Sequence, residues 1–323
     1  MASLITTRTG INTQNKILEQ AFVDRSNEIP PDYVRFFNVV KPDPTRSFMT
    51  WQPWAPTGSL RFKPEGQGPA YDQPFELIPY TVHFFTFAIA VTATREARLE
   101  DPAGIVAQVP FMLAESEQFS KDLVFMNLFN QAFNPGVPYS DGLPLCSTVH
   151  PLAPQSTSAG ITSAIGMTFS NNLGYTPLTP ETHNQARLLL ETLLDDRGFP
   201  DRRDQVFLLV HPQQIKIAEE IVGTPLAPYT NANQIGTEYR QTKVVSSPYL
   251  TNPYAWYILS KQDNPVSGKG HGLVVAHKWE NDFYTYYDGR TRNQEMQVSH
   301  RSAFGAVTWR GIVGSPGAAL VSQ

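Results

Sequence analysis

Apolar side chains recur at alternating three- and four-residue steps between residues 101 and 133. The series is Ile105, Val109, Met112, Ser116, Phe119, Leu123, Met126, Asn130 and Phe133, and seven of these nine are apolar. This period predicts an amphipathic helix over about 101–133. Asp101 is a good N-cap residue, and Pro102 suits the first helical position because its missing N–H costs no hydrogen bond there. A helix of this length would be roughly 48 Å long, which is typical of a structural strut.

Pro110 interrupts the pattern inside this predicted helix. Proline lacks the N–H donor and its ring clashes with the preceding turn, so Pro110 should either kink the helix or begin a second one. We favour the kink. Over residues 123–129 the sequence is apolar on nearly every side, which predicts that this end of the helix is buried.

A long β-hairpin is predicted over residues 46–92. In its returning strand, large apolar residues (Phe85, Phe87, Ile89, Val91) alternate with small ones, which indicates a strand with one apolar face. The two strands enclose a tip rich in glycine and proline, and the hairpin carries Trp51, Trp54, Phe62 and Lys63. Aromatic residues exposed on a projecting hairpin would stay uncovered in a monomer, so they indicate contact with another molecule.

The order of predicted elements divides the chain into four parts of an α+β protein. Residues 1–45 form an arm whose apolar residues must pack on another surface, and residues 46–92 form the hairpin. Residues 181–262 alternate helices with strands and form an α/β lobe, whose first helix is capped by Thr179. Residues 93–180 and 263–323 form a strand-rich domain that contains the long helix.

Composition points to an assembly and gives no sign of a general attraction to nucleic acid or of a membrane span. Charged residues make up 17% of the chain, below the usual value of about 25%, and permanent interfaces are depleted of charge. The net charge of −4 implies no global attraction to nucleic acid. No apolar run is long enough to span a membrane, and the N-terminal residues lack the apolar core of a secretory signal.

Candidate chemistry is sparse. Cys146, the only cysteine, and His150 lie four residues apart in a loop, which leaves open a hydrolase with a cysteine nucleophile. We favour a buried packing role for Cys146, because catalytic Cys and His usually meet across a fold. No histidines have zinc-ligand spacing, and no glycine-rich loop has the strand–loop–helix context of a phosphate site. The mixed charges at 195–197 and 201–204, which flank Gly198, predict a solvated turn.

Several short stretches occur together in one order. They are Arg46–Trp51, Pro79–Val82, Glu100–Pro102, Asp141–Leu152, Asp195–Gly198, Val245–Trp256 and Trp309–Ser315. In this order they resemble the major capsid protein of tailed bacteriophages with the Hong Kong 97-type fold, and in detail the Mu-like major head subunit family. The likeness spans about residues 32–318, nearly the whole chain.

The resemblance implies a role for each part. Residues 1–45 would be the N-terminal arm, and residues 46–92 the extended loop, in which Trp51, Trp54 and Phe62 would be covered by a neighbouring subunit. The helix from Asp101 would be the spine of the peripheral domain (93–180 and 263–323), with Phe119 and Leu123 on it and Pro110 as a candidate hinge during shell expansion. Residues 181–262 would be the axial domain at hexamer and pentamer centres.

The same resemblance implies a non-enzymatic function without cofactors. Copies would assemble as hexamers and pentamers into an icosahedral shell of a virion, built in the host cytoplasm, around double-stranded DNA that is not bound sequence-specifically. A portal and a separate scaffolding protein are expected partners, and a decoration protein is a further one. Some relatives crosslink a loop lysine to an asparagine. Lys63 lies in the loop, but no acceptor is identifiable, so non-covalent stabilisation is expected. The nearest alternative is an encapsulin-type protein compartment.

Overall fold

The computed structural model describes residues 7–55, 57–74, 76–101, 104–139, 141–152, 168–223, 242–262 and 270–318. Pro102 lies outside these residues. The helices are α1 (Thr7–Glu28), α2 (Arg95–Leu99), α3 (Ile105–Asn130), α4 (Pro180–Glu191) and α5 (Ile215–Gly223). The strands are β1 (Asn38–Val40), β2 (Phe48–Trp51), β3 (Tyr80–His83), β4 (Phe85–Ala93), β5 (His150–Pro151), β6 (Thr168–Phe169), β7 (Gln205–Val210), β8 (Lys243–Ser246), β9 (Trp256–Ser260), β10 (Leu273–Tyr287), β11 (Gln294–Ala306) and β12 (Ile312–Ser315).

The first sheet has the strand order β1-β10-β11-β4 and carries α3 and α1 on one face. The long strands β10 and β11 form an antiparallel pair, β4 adds antiparallel to β11, and β1 adds parallel to β10. Val109 and Leu113 of α3 pack against Met296 and Val298 of β11. Phe22 of α1 joins the same cluster, so the arm helix and the long helix share one core with this sheet.

The second sheet has the order β12-β9-β7-β8 and lies between two layers of helix. On one face it packs against α4 and α5, through Ala186 and Ile221 among others. On its other face lie Phe125 and Phe129 of α3, and the Tyr257 hydroxyl donates a hydrogen bond of 2.7 Å to the Phe129 carbonyl. The C-terminal end of α3 is therefore buried, as its apolar sequence predicts.

Two strands lie in a different sheet from the predicted one. β4 was placed in the hairpin (46–92), but it pairs along its length with β11 of the first sheet. β12 was placed with the strand-rich domain (263–323), but it pairs with β9 of the second sheet. The predicted boundaries are wrong at these strands, because pairing between strands far apart in sequence is set by the fold and not by local pattern.

The predicted long helix exists, but it is shorter than expected. It begins after Gly104, which has a left-handed φ of 66°, so Asp101 is not its N-cap. Asp101 still accepts a 2.8 Å hydrogen bond from the backbone N–H of Val106. The helix runs without a break past Pro110 to Asn130, which excludes the alternative of a second helix beginning at the proline.

The apolar stripe of α3 predicts only part of the buried side of the helix. Met112, Phe119 and Leu123 are 54%, 54% and 46% exposed, whereas Glu117 and Lys121 are buried. Val109 and Met126 of the same stripe are buried, so the buried side combines apolar and charged residues, whereas Met112, Phe119 and Leu123 face outward. Those apolar side chains form an uncovered surface.

Candidate assembly surfaces

Trp51 anchors the stem of the hairpin in the core of its own chain. β2 pairs with β3 so that Trp51 lies opposite Tyr80. The Trp51 side chain is buried with Val82, Phe84 and Val274 of the same chain. The prediction that Trp51 is covered by a neighbouring subunit is therefore wrong. An apolar stem residue that faces the first sheet is covered within the chain.

The hairpin tip, residues 57–74, extends past this stem and exposes large apolar side chains. Leu60, Phe62 and Tyr71 are 101%, 92% and 94% exposed, and Trp54, just before the tip, is 51% exposed. Lys63 is exposed beside them. Side chains at this exposure gain no burial from folding of the single chain. Leu60 and Tyr71 were missed, although they lie in the same glycine- and proline-rich segment.

A second apolar surface, the α3–β4 face, follows the outer side of α3 and the edge strand of the first sheet. Its exposed members are Phe85, Ile89, Val91, Ile105, Met112, Phe119 and Leu123. The pairing of Ile89 with Val298 and of Val91 with Met296 puts the β4 residues on the helix-bearing side of the sheet. β4 is also an edge strand, with one row of backbone groups unpaired within the described sheet.

The described part of the arm packs on α3 of its own chain. The Tyr33 backbone N–H donates to Asp122 Oδ1 at 2.9 Å, and the Tyr33 hydroxyl lies 2.9 Å from His277 Nε2. Phe36 and Phe37 are buried in the core that also contains Phe129. The surface that the arm sequence requires is thus supplied by the long helix.

A network of buried charged groups lies between α3 and the first sheet. Lys121 Nζ is 2.9 Å from Glu117 Oε1 and 3.6 Å from Glu280 Oε2, and both the Lys121 and Glu117 side chains are almost completely buried. Lys121 also donates to Asn281 Oδ1 at 3.2 Å, and the Asn281 N–H donates to Glu117 Oε1 at 2.9 Å. Asn281 reaches both groups because it occupies an irregularity in β10 and has a left-handed φ of 55°.

His300 completes this network on the sheet side. Its Nδ1 lies 3.9 Å from Glu117 Oε1, and its ring stacks on Phe87 of β4 with centroids 5.1 Å apart. Burial, and secondarily the charge of Lys121, lowers the pKa of His300 to about 4, so the ring is neutral at pH 7. Lys121, and not His300, is therefore the cation that pairs with Glu117 in this network.

The hairpin tip and the α3–β4 face are both exposed and apolar. Residues 80–315, well over half of the chain, match the family model described as phage capsid protein. The chain belongs to the phage capsid protein family. Membership of this family agrees with the exposed apolar side chains of the hairpin tip and the α3–β4 face.

Solved structures give the same fold for this capsid protein. Similarity to the procapsid of bacteriophage JBD30 covers 99% of this chain and 78% of that one, at 15% identity and a TM-score of 0.54. Similarity to the capsid of cyanophage P-SCSP1u covers 90% and 88%, at 10% identity and a TM-score of 0.54. Similarity to the JBD30 capsid decorated with minor capsid protein trimers covers 69% of this chain and 92% of that one, at 14% identity and a TM-score of 0.50. No curated protein matches the sequence.

The capsid protein therefore has the Hong Kong 97-type fold and forms the shell of a phage virion. The closer likeness to the Mu-like head subunits stays a prediction. Among the described residues, no helix is both long and apolar enough to cross a bilayer. Within the same part of the chain, no group of three or more His, Cys, Asp or Glu residues could hold a metal ion.

The environment of Cys146 argues against the hydrolase alternative. Its thiol is buried, and burial raises its pKa, whereas a cysteine nucleophile needs a lowered one. His150 Nδ1 is bound to Asp141 Oδ2 at 2.5 Å, and the ring stacks on Trp309 with centroids 4.4 Å apart. The Cys146–His150 segment is thus part of the packing of the capsid protein.

The turn around Gly198 is not the solvated turn that its charges predict. Asp196 is buried and accepts a 2.8 Å hydrogen bond from Arg310 Nη2. The Arg197 side chain is only 10% exposed, because it contacts the hairpin tip through Asp72. The charged residues beside Gly198 gave no indication in the sequence that Arg310 and Asp72, which are far away along the chain, bind them.

Proposed function

We propose that copies of this capsid protein form hexamers and pentamers that close into an icosahedral shell around double-stranded DNA. The hairpin tip of one copy and the α3–β4 face of another are the proposed contact surfaces. Packaged DNA must slide along the inner wall without sequence-specific binding, so the wall should not bind it tightly, and the net charge of −4 agrees with this. The role of the protein is mechanical, and we propose no catalytic residue.

The observation that carries this proposal is the exposure of the tip. Leu60, Phe62 and Tyr71 protrude almost fully into solvent, and the α3–β4 face adds a separate apolar surface. Buried aromatic anchors dominate the binding energy of protein interfaces. A chain with 17% charged residues has little charge to hide such surfaces, so contacts between copies are the simplest way to cover them.

The proposed partners beyond other copies are a portal, a separate scaffolding protein and a decoration protein. The JBD30 capsid is described as decorated with trimers of a minor capsid protein. By analogy, the outer surface of the present shell is a candidate site for such a protein. Co-purification of shells from infected cells, followed by mass spectrometry of the bands, tests each partner separately.

Negative-stain electron microscopy of the purified protein tests the central proposal. Closed angular shells support a phage head subunit. Small round shells that contain protein cargo and no DNA would favour the encapsulin alternative. A protein that stays monomeric at every concentration and salt condition would contradict both readings.

We expect shells to be held together without covalent links between copies. Lys63 is the lysine of the hairpin tip, and no acceptor or catalytic acid for an amide bond is assigned to it. Mature particles boiled in denaturant should therefore run on a gel as one band at the monomer mass of 36.1 kDa. A ladder of higher bands would overturn this expectation, and its disappearance in Lys63→Arg particles would assign the crosslink to Lys63.

Pro110 is the proposed hinge of the long helix during shell expansion. It lies inside α3 and has no N–H to donate to the carbonyl one turn earlier, so α3 is easiest to bend there. In Pro110→Ala particles the missing bond is restored, and we expect expansion to be delayed or incomplete. Particle diameter measured by electron microscopy checks this. Gln108→Ala, an exposed change in the same turn, is the control, and normal expansion of Pro110→Ala particles would remove the hinge role.

A further inference from the structure

One arginine of the α/β lobe ties down the hairpin tip of the same chain. Arg197 Nη1 lies 3.1 Å from Asp72 Oδ1, and Arg197 Nη2 donates to the Gln73 carbonyl at 2.8 Å. The Arg197 side chain is 10% exposed and the Asp72 side chain 43% exposed. Two donors of one guanidinium thus hold two consecutive residues of the hairpin, a geometry that fixes orientation as well as distance.

Asp72 extends this contact across the hairpin. Its other oxygen, Oδ2, accepts a 2.6 Å hydrogen bond from the Gly58 N–H on the opposite side of the tip. The Gly58 bond, and secondarily Arg197, lowers the pKa of Asp72, so the carboxylate is charged at neutral pH. A Cβ at position 58 would lie 3.3 Å from Asp72 Oδ2 and 3.4 Å from Arg197 Nη1, so these three residues meet at one crowded point.

The turn that presents Arg197 is held independently of the hairpin. Asp195 Oδ1 accepts hydrogen bonds of 2.8 Å from the N–H groups of Arg197 and Phe199, and Gly198 adopts a left-handed φ of 82°. Asp196 is bound to Arg310. None of these bonds uses the Arg197 guanidinium, so removal of that group should release the hairpin without unfolding the turn.

We propose that Arg197, Asp72 and Gly58 form an intrachain latch that orients the hairpin tip before a second copy binds it. This inference rests on the proposed function of the tip as an assembly contact. An ordered binding element loses less conformational entropy on association than a free one. A partly exposed ion pair is weak and reversible, so the latch can open when the shell changes shape.

Proteolysis of unassembled subunits tests the latch itself. Trypsin can cut after Arg61 in the exposed tip. When this cleavage is slower than the return of the tip to its latched position, the cleavage rate reports the fraction of subunits whose tip is open. We expect Arg197→Gln to raise the rate of that cut about threefold, on the scale of one ion pair. Arg202→Gln removes a 68% exposed arginine paired with Asp204 in the same segment, and it should leave the rate unchanged.

A double-mutant cycle assigns the effect to the pair. Asp72→Asn keeps an oxygen for the Gly58 N–H but loses the charge, so it should accelerate cleavage as much as Arg197→Gln does. The double variant should be no faster than either single variant. Additive effects, or an Arg197→Gln rate equal to wild type, would overturn the latch.

Assembly gives the functional readout. The protein concentration at which half of the subunits enter shells should rise about threefold for Arg197→Gln and stay at the wild-type value for Arg202→Gln. An unchanged value for Arg197→Gln despite faster cleavage would overturn the orienting role. If the wild-type protein forms no shells, the proposed function fails, whereas the proteolysis result still decides whether the latch exists.

Discussion

Phe62→Ser is expected to abolish shell formation and to leave the subunit folded. Phe62 is 92% exposed, so its loss should change the free energy of unfolding by less than about 0.5 kcal/mol. In an interface the same ring would act as a buried anchor, whose removal typically costs about 2 kcal/mol or more for each contact. Under the proposed assembly every subunit in a shell would make this contact, so the loss would be repeated across the whole particle.

Electron microscopy and sedimentation of the Phe62→Ser protein check this result, with circular dichroism to confirm folding. Tyr175→Ser is the matched control, since Tyr175 is an 82% exposed aromatic outside the hairpin tip and the α3–β4 face. Shells in normal yield from Phe62→Ser would show that the tip is not an assembly anchor.

Lys121→Ala should lower the free energy of unfolding by roughly 3–5 kcal/mol, the cost of breaking a buried ion pair by removing one partner. Glu117 would be left buried without its cation, and the Asn281 N–H would still donate a hydrogen bond to it. Urea unfolding of unassembled subunits, followed by tryptophan fluorescence, measures the change.

Two further variants make this result specific. Lys216→Ala removes a lysine with the same four-residue spacing from a glutamate, but at 86% exposure, and should cost less than about 1 kcal/mol. The double change Lys121→Met with Glu117→Gln keeps an acceptor for the Asn281 N–H and removes both charges, so it should recover much of the lost stability. Equal losses for Lys121→Ala and Lys216→Ala would contradict the role of the network.

Local chemistry made several elements predictable. Thr179 caps α4 as expected, because its hydroxyl accepts the 3.2 Å hydrogen bond from the Thr182 N–H and proline follows it. The alternation of large and small residues over 85–91 marks β4 correctly as a strand. Both signals act within a few residues and do not depend on the rest of the fold.

The candidate surfaces were only partly accessible to sequence reasoning. Exposure of Phe62 followed from its place in the glycine- and proline-rich tip. Trp54, just before the tip, is 51% exposed, whereas Trp51 has the same residue type and is buried. The difference is its position on the stem, which faces the first sheet. Residue type alone does not report on which side of a strand the core lies.

The sequence by itself determined that the chain contains a long helix, an apolar hairpin and an α/β lobe with little charge, because helix period, strand alternation and composition are local quantities. Only the tertiary structure decided which side of α3 is buried. Glu117 and Lys121 are covered because they bind each other and Asn281, 160 residues further along. Burial of a charged group depends on partners brought together by folding, and these partners leave no periodic trace in the sequence.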